Sequence, residues 1–422
     1  MILEIRLSNF FSIKEEIVLD LTAGSSQSKK VQDLSQNVFQ FKDTTVLKTV
    51  ALYGANASGK SSIIKAIRFC CKMVFESHKH NENTTYNFHP FKFEGYKNKP
   101  SSFLIRFVSN NVEYEYSFSL TQKEILTEEL YYYPNNRRAK IFTRDETIKG
   151  SKSDKYSFGT SIKRPMDVAE NTSNKTLYIS RSSQMDREIG KEIFNFFNEK
   201  FLLQYYDFNA ISIEALFVNN KPTILEALQI ADSDIIDIRI KRQDIPVRNL
   251  ELKLQSTVAE STAVWTDAIQ QSIQLFTYHK AAPEVAFDFN MEESDGTKNL
   301  FFILLSLLDV VKNNKILLID EIEASLHTSI VEFIIKMFHA GDSAQLIYST
   351  HNTNLLNLNK VRKDQIYFVN KKTDASTELY SLFDFKDFRE NMDVEKAYLQ
   401  GRFDAIPVID DSEMNLKSML HG

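Results

Sequence analysis

Cysteine is almost missing from this chain: only Cys70 and Cys71 occur among 422 residues. Neighbouring cysteines are badly placed to bridge each other, so no disulfide framework is available and a reduced, cytoplasmic setting is expected. A surplus of positive charge is missing too, with 51 Lys and Arg against 56 Asp and Glu and a net charge of -5. No global basic excess advertises nucleic-acid binding, although local patches remain open. There is no apolar run of about 18 residues, the minimum for a membrane-spanning helix. The longest candidate, Leu300 to Val311, is broken by Ser306 and Asp309 and reads as a buried helix. The opening MILEIRLSNF lacks the charged, apolar, small-residue order of a secretory leader, so no membrane partner is expected. Neither an internal repeat nor a sustained heptad pattern is present, which excludes a long coiled coil. Effector chemistry is also absent: we find no His/Asn/His nuclease cluster, no Toprim-type acidic set after residue 370 and no nucleophilic triad.

The chain is long enough for a large core and 43% hydrophobic, so two structural units, or one domain with a big insertion, are expected. Residues 2 to 7 alternate as a strand, and Val18 to Leu21 suggest its hairpin partner. Residues 24 to 45 read as loop. Thr49 to Tyr53 form a short apolar run, followed by a helix from about Ser61 to Phe75. Residues 103 to 133 alternate Phe, Tyr, Val and Ile as antiparallel strands. The stretch 134 to 164 is polar, with nine Lys/Arg against three acids, and reads as a solvated hairpin or a DNA-binding patch. Helices are expected over 185 to 205, 222 to 232 and 260 to 275, the last holding Trp265, with short strands near 276 to 280 and 284 to 289. From residue 294 the order is helix, strand (316 to 320), helix, strand (344 to 349), helix, strand (365 to 370), which implies a parallel sheet with helices on its faces. The expected division is an N-terminal lobe over 1–133, an insertion over 134–280 and a C-terminal lobe over 281–422.

Four motifs carry chemistry. Gly54-Ala55-Asn56-Ala57-Ser58-Gly59-Lys60-Ser61 matches the phosphate-binding pattern G-x-x-x-x-G-K-[ST], with a strand before it and a helix after it. Glycines let the backbone wrap so that several N–H groups face phosphate oxygens, and the helix N-terminus adds partial positive charge. Lys60 reaches the terminal phosphates of ATP, Ser61 offers its hydroxyl to Mg²⁺, and Ser62 extends the ATP-binding run. Next, Ile316-Leu317-Leu318-Ile319 is a buried strand that delivers Asp320 and Glu321 at its C-terminal end, where open α/β sheets bind ligands. Asp320 suits Mg²⁺, and Glu321 is placed to polarise the attacking water. Ser349-Thr350-His351 ends a second such strand, so His351 can reach a terminal phosphate. Finally, Ser294, Gly296 and Thr297 open an apolar helix; alone they are only a helix cap.

In this order the motifs resemble the ABC-type ATPase heads, including those of SMC and Rad50 proteins. The match is closer to the AAA15-type ATPases common in anti-phage loci. It is carried by IRLSNFFS (5 to 12), the phosphate loop, YEYSFSL (114 to 120), ESDGTKNLFFILL (293 to 305), LLIDEIEASLH (317 to 327), AQLIYSTHNTNLL (344 to 356), RKDQIYFVNK (362 to 371) and YLQGRFDAIP (398 to 407). The resemblance implies an ABC-like α/β head with an antiparallel β subdomain and a mainly helical insertion over about 165 to 280. It implies a homodimer or higher homo-oligomer sandwiching two ATPs with Mg²⁺. Ser294, Gly296 and Thr297 would then act in trans as the signature, with Ser325 and His327 in the D-loop and His351 as the switch. The chain departs from the family pattern at Thr328, where proline is usual, and at Asp404, where glycine is usual. No glutamine stands between His89 and Phe93, where a second metal ligand is expected.

A transporter subunit would have about half the roughly 230 residues that separate Lys60 from Ser294. The leading functional expectation is an anti-phage ATPase controlling a separately encoded effector such as a Toprim-like nuclease. The alternatives are a DNA-binding, repair-type head resting on the basic stretch, or a non-hydrolysing, nucleotide-gated scaffold. His78 and His80 read as loop residues and Tyr131 to Tyr133 as strand packing.

Overall fold

The computed structural model describes residues 1–25, 29–202, 210–230, 234–254, 261–324, 326–389 and 391–406. In chain order, β1 (Ile2–Ser8) and β2 (Ile17–Asp20) precede the short helix α1 (Lys29–Asp33), the hairpin β3 (Val38–Phe41) and β4 (Thr44–Leu47), then β5 (Thr49–Tyr53) and helix α2 (Lys60–Glu76). Next come β6 (Ser101–Ser109), β7 (Val112–Leu120), β8 (Ile125–Tyr132), β9 (Ala139–Asp145), α3 (Lys152–Lys155) and β10 (Tyr156–Phe158). The helices α4 (Pro165–Glu170), α5 (Tyr178–Gln184) and α6 (Glu188–Lys200) lead to β11 (Phe201–Leu202). Then follow α7 (Ala210–Ile230), β12 (Ile235–Leu254), β13 (Ser261–His279), β14 (Ala282–Asp288), α8 (Phe289–Glu292) and α9 (Asp295–Lys312). The chain closes with β15 (Ile316–Ile319), α10 (Thr328–Ala340), β16 (Gln345–Thr350), β17 (Ile366–Lys371), β18 (Thr377–Ser381) and α11 (Val394–Leu399).

These elements form two compact units. The first comprises Met1–Gln204, Val310–Ala324 and Val331–Gly422; the second comprises Tyr205–Asp309 and Ser325–Ile330. In the first unit a six-stranded sheet runs β11-β15-β16-β5-β17-β18, parallel except for β18. Its central strands are buried on both faces, so TVALY, ILLI and QLIYST show no alternation. The switch strand β16 stands between the Asp-Glu strand β15 and the phosphate-loop strand β5. All three therefore release their C-terminal residues at one edge.

The antiparallel sheet of the same unit runs β10-β9-β8-β7-β6-β1-β2. Gln345, fully buried on β16, joins the two sheets. Its amide oxygen accepts from the Ile2 N–H at 2.6 Å, and its amide nitrogen donates to the Ile2 carbonyl at 2.9 Å. One hydrophobic core holds Ile5 and Leu7 of β1, Phe103 and Ile105 of β6, Ile63, Ile67 and Cys70 of α2, and Leu318 and Ile347 of the parallel sheet. The ABC-like head implied by the motifs is thus the observed fold, with its parallel sheet and its antiparallel subdomain.

Several local expectations change. β9 and β10 lie within the stretch read as a solvated hairpin and extend the antiparallel sheet. Arg144 there is fully buried. Its guanidinium donates to Glu146 and to the carbonyls of Thr176 and Ser173, with Glu128 at 3.5 Å. Glu128, equally buried, also accepts from the Tyr178 and Ile179 N–H groups that open α5. Arg138 pairs with Glu115, and Lys152 and Lys155 pair with Glu146. Four of the nine basic side chains are therefore paired with carboxylates of the fold, Arg144 in its interior. The loop expected over 24 to 45 contains α1 and the β3–β4 hairpin.

The second unit carries the largest correction. The helix expected over 260 to 275 is strand: β13 pairs antiparallel with β12 from Leu254↔Ser261 to Ile235↔His279. Trp265 thus stands on a strand, opposite Leu250. β14 completes a three-stranded sheet. α7 is the helix expected near 222 to 232, beginning earlier, and Phe217 of α7 and Phe289 of α8 both pack on Phe301 of α9. No helix among the described residues is long and apolar enough to cross a membrane.

Candidate active site

β5 ends at Tyr53, and the chain turns through residues 54 to 59 before α2 starts at Lys60. Two glycines make this turn possible. A Cβ at Gly54 would lie 2.2 Å from the Val369 carbonyl oxygen of β17, so the loop starts with no room for a side chain. Gly59 has φ +115°, a region that L side chains rarely adopt. Ala57 is also left-handed, at φ 61°. Asn56 and Ala57 form the exposed rim, whereas Ser58 is buried with its hydroxyl unpartnered among the described residues. The Lys60 ammonium is drawn into the loop, donating to the carbonyls of Gly54 at 2.9 Å and Ala55 at 3.0 Å. Burial lowers its pKa to about 8, against the opposing pull of Asp320, Glu321 and Glu323.

Ser349 ties the two acidic positions to the switch strand. Its hydroxyl donates to Asp320 Oδ1 at 2.5 Å and accepts from the Glu321 N–H at 2.7 Å. Glu321 itself is exposed, with φ 53°. The left-handed turn swings the chain off the strand directly after Asp320. His351, exposed at the end of β16, donates its backbone N–H to Glu323. Partial burial and the nearby Lys60 ammonium lower the His351 pKa, opposed by Glu323, Glu321 and Asp320. Because β5, β15 and β16 are neighbouring parallel strands, Lys60, Asp320, Glu321 and His351 gather at one edge of the sheet from three places in the sequence.

Sequence reasoning missed some participants. Glu323, the third acid of the run DEIE, anchors the His351 backbone through Oε1, while its Oε2 is buried without a hydrogen-bond partner among the described residues. Ser12 and Thr377 brace the loop from behind. The Thr377 hydroxyl donates to the Ser58 carbonyl at 2.9 Å and lies 2.7 Å from Ser12 Oγ, which in turn lies 2.9 Å from Ser62 Oγ. Ser12 and Thr377 stand 365 residues apart in the chain, so no local pattern could have paired them.

Ser294, Gly296 and Thr297, expected to form the signature, lie in the second unit. Ser294 caps α9: its hydroxyl accepts from the Thr297 N–H at 3.1 Å and lies 2.8 Å from Thr297 Oγ1. Ser294, Asp295 and Gly296 are exposed. Just before them, Glu293 is held by His279 Nε2 at 2.8 Å and by the Thr277 hydroxyl, and His279 Nδ1 meets Asp234 at 2.8 Å. His327 is exposed, with Nδ1 close to the Ser329 hydroxyl at 2.5 Å. Ser325 of the expected D-loop and Pro407 of the C-terminal motif lie outside the described residues.

A nucleotide phosphate suits this loop by its chemistry: backbone N–H groups at a helix start, an ammonium, and a buried hydroxyl in want of a partner. Ser61 and Asp320 supply the hard oxygen donors that Mg²⁺ prefers.

Residues 50–357 match the family model described as "AAA domain, putative AbiEii toxin, Type IV TA system". The "Retron Vc95 probable ATPase" of Vibrio cholerae serotype O1 biovar El Tor is 22% identical over 413 residues, covering 85% of this chain and 77% of that protein. Two solved structures are also similar. An Smc head bound to the C-winged helix domain of ScpA has a TM-score of 0.44 at 15% identity, covering 94% of this chain and 99% of that one. An Smc head with an extended coiled coil, bound to a ScpA C-terminal domain derived from Pyrococcus furiosus, has a TM-score of 0.40 at 16% identity, covering 95% and 98%. The family model spans well over half of the chain and includes residues 54–61, 294–297, 320–321 and 351, so the chain belongs to this AAA-domain family of AbiEii type.

Proposed function

We propose that this chain hydrolyses ATP at a site completed by a second copy of itself, and that the ATP state controls a separately encoded effector in defence against phage. The observation that carries the hydrolytic reading is that Asp320, Glu321 and His351 leave neighbouring parallel strands at the same sheet edge as the Lys60 phosphate loop. Lys60 neutralises the terminal phosphates, and the backbone N–H groups of residues 55 to 61 orient them. Mg²⁺, held by Ser61 and Asp320, would neutralise further phosphate charge when bound. Glu321, exposed and free of the strand, accepts a proton from the attacking water. His351 is kept in place by Glu323 and senses the terminal phosphate. The exposed cap of Ser294, Asp295 and Gly296 is an anion site suited to the nucleotide of a partner copy.

The defence role is supported by the AbiEii-type family description and by the retron ATPase relative. The motifs also resemble those of the AAA15-type group. A Toprim-like nuclease is the kind of effector that would supply the chemistry this chain lacks.

The test is ATP hydrolysis by the purified protein across a concentration series. Specific activity should rise with protein concentration. Lys60→Ala should abolish nucleotide binding, and Glu321→Gln should cut turnover by about 10²–10⁴-fold while still dimerising on ATP. Wild-type protein that binds ATP without turnover at any concentration would leave a nucleotide-gated scaffold instead. Cells carrying the gene with its neighbours should resist phage, and Lys60→Ala should remove that resistance; unchanged plating efficiency would overturn the defence reading.

A further inference from the structure

A second cleft, of about 560 Å³, lies in the first unit beside the outer face of α2. Its lining combines aromatic rings (Phe10, Phe11, Phe69 and Tyr86) with the cations Lys65, Arg68 and Lys72. Glu76 is the only carboxylate in the lining. The cations recur at i, i+3 and i+7, so the helix sets them on one face over roughly 10 Å of its axis. Lys65 and Lys72 are exposed and meet no carboxylate among the described residues. The Lys65 ammonium sits 5.9 Å from the Phe11 ring centroid. Phe10 fixes the aromatic floor, 5.6 Å from Phe69 and stacked on Phe88 at 5.5 Å. Phe11 and Phe69 remain half-buried, so part of each ring is open to the cleft.

We infer that this cleft binds a single-stranded nucleic acid, its bases stacking on Phe11 and Phe69 and its phosphates meeting Lys65, Arg68 and Lys72. Stacking platforms bordered by cations bind single strands without sequence preference, because every base has a π face and every linkage a charge. A duplex hides its base faces and cannot use the aromatic floor. A peptide strand has no sheet edge to join here, because the lining comes from a helix, the 10–11 turn and the 80–87 loop. The cations are spread more widely than one mononucleotide's phosphates require. The basic stretch at 134 to 164 is a weaker candidate, since Arg138, Arg144, Lys152 and Lys155 already answer carboxylates.

The experiment is fluorescence anisotropy with the full chain and a labelled oligothymidylate over a salt series, without ATP. The wild type should bind it. Lys72→Glu should weaken binding at least about tenfold, and Lys65→Ala/Lys72→Ala should lower the slope of log affinity on log salt by about 1.4, near 0.7 per lost phosphate contact. Phe69→Leu, which keeps the core filled, should weaken binding without changing that slope. Lys163→Glu, away from the cleft, should bind as the wild type does. Unfolding temperatures of the variants separate lost contacts from lost fold. The inference is overturned if the lysine variants bind like the wild type. It is equally overturned if a duplex or polyglutamate competes as well as an unlabelled single strand, or if saturating ATP displaces the oligonucleotide and so places it on the phosphate loop.

Discussion

At position 54 any side chain would run into the Val369 carbonyl, whereas at position 59 the backbone itself excludes one. Single residues elsewhere in the first unit act just as locally. Glu323 holds the His351 N–H, and its role can be separated from its charge. Glu323→Ala should slow hydrolysis by about 100-fold through loss of positioning, with ATP affinity kept. Glu323→Gln should restore most of the rate, because an amide oxygen still accepts from that N–H. Equal loss in both variants, in kcat measured beside nucleotide affinity, would assign the effect to charge instead. Arg144 is a second case. Burial pushes the Glu128 carboxyl upward, and Arg144 opposes that shift. Arg144→Leu leaves Glu128 and Glu146 without their buried partner and should cost about 3–5 kcal/mol in urea denaturation. Adding Glu128→Gln should recover part of this, since the amide still caps α5.

Among the elements, the β12–β13 ribbon is where local pattern misleads. Trp265, Ile269, Ile273 and Phe276 recur at three- and four-residue intervals, a helical rhythm. The backbone instead finds its hydrogen bonds across a strand some twenty residues upstream, and pairing overrides the pattern. At the foot of this ribbon His279 joins β13 to the residue before the signature. Burial lowers its pKa, but the hydrogen bonds to Asp234 and Glu293 prevail and raise it. A raised histidine contributes stability that is complete below the unfolded value of 6.5 and is lost as pH rises through the folded value. The stability difference between wild type and His279→Gln should therefore be largest near about pH 6 and shrink toward about pH 9 in denaturant titrations. A difference independent of pH would mean that the ring acts by packing alone.

For the whole molecule, the phosphate loop and its carboxylates belong to one compact unit and Ser294 to the other. If the signature acts in trans, Lys60→Ala and Ser294→Arg chains should each be inactive alone. Mixed in equal amounts, they should recover about a quarter of wild-type hydrolysis, because half the dimers hold one intact composite site of two. No recovery on mixing would place both motifs of a working site in one chain.

Much of this protein was legible without coordinates. Gly54 to Ser61, Asp320, Glu321 and His351 were readable because each follows a short strand with an unbroken apolar centre, and such strands announce a buried parallel sheet. The strands of 101 to 132 were readable for the opposite reason, a largely alternating burial along β6 and β7. What the sequence could not express were pairings between distant segments. Thr377 behind the phosphate loop, Glu323 under the His351 backbone, Arg144 inside a stretch that reads as surface, and the partner strand that makes a ribbon of 261 to 279 are all of this kind. Local sequence determines which residues are apolar, which are acidic and where the chain must turn. Which buried donor meets which acceptor is decided only when the folded core excludes water and each polar group left inside must find a partner.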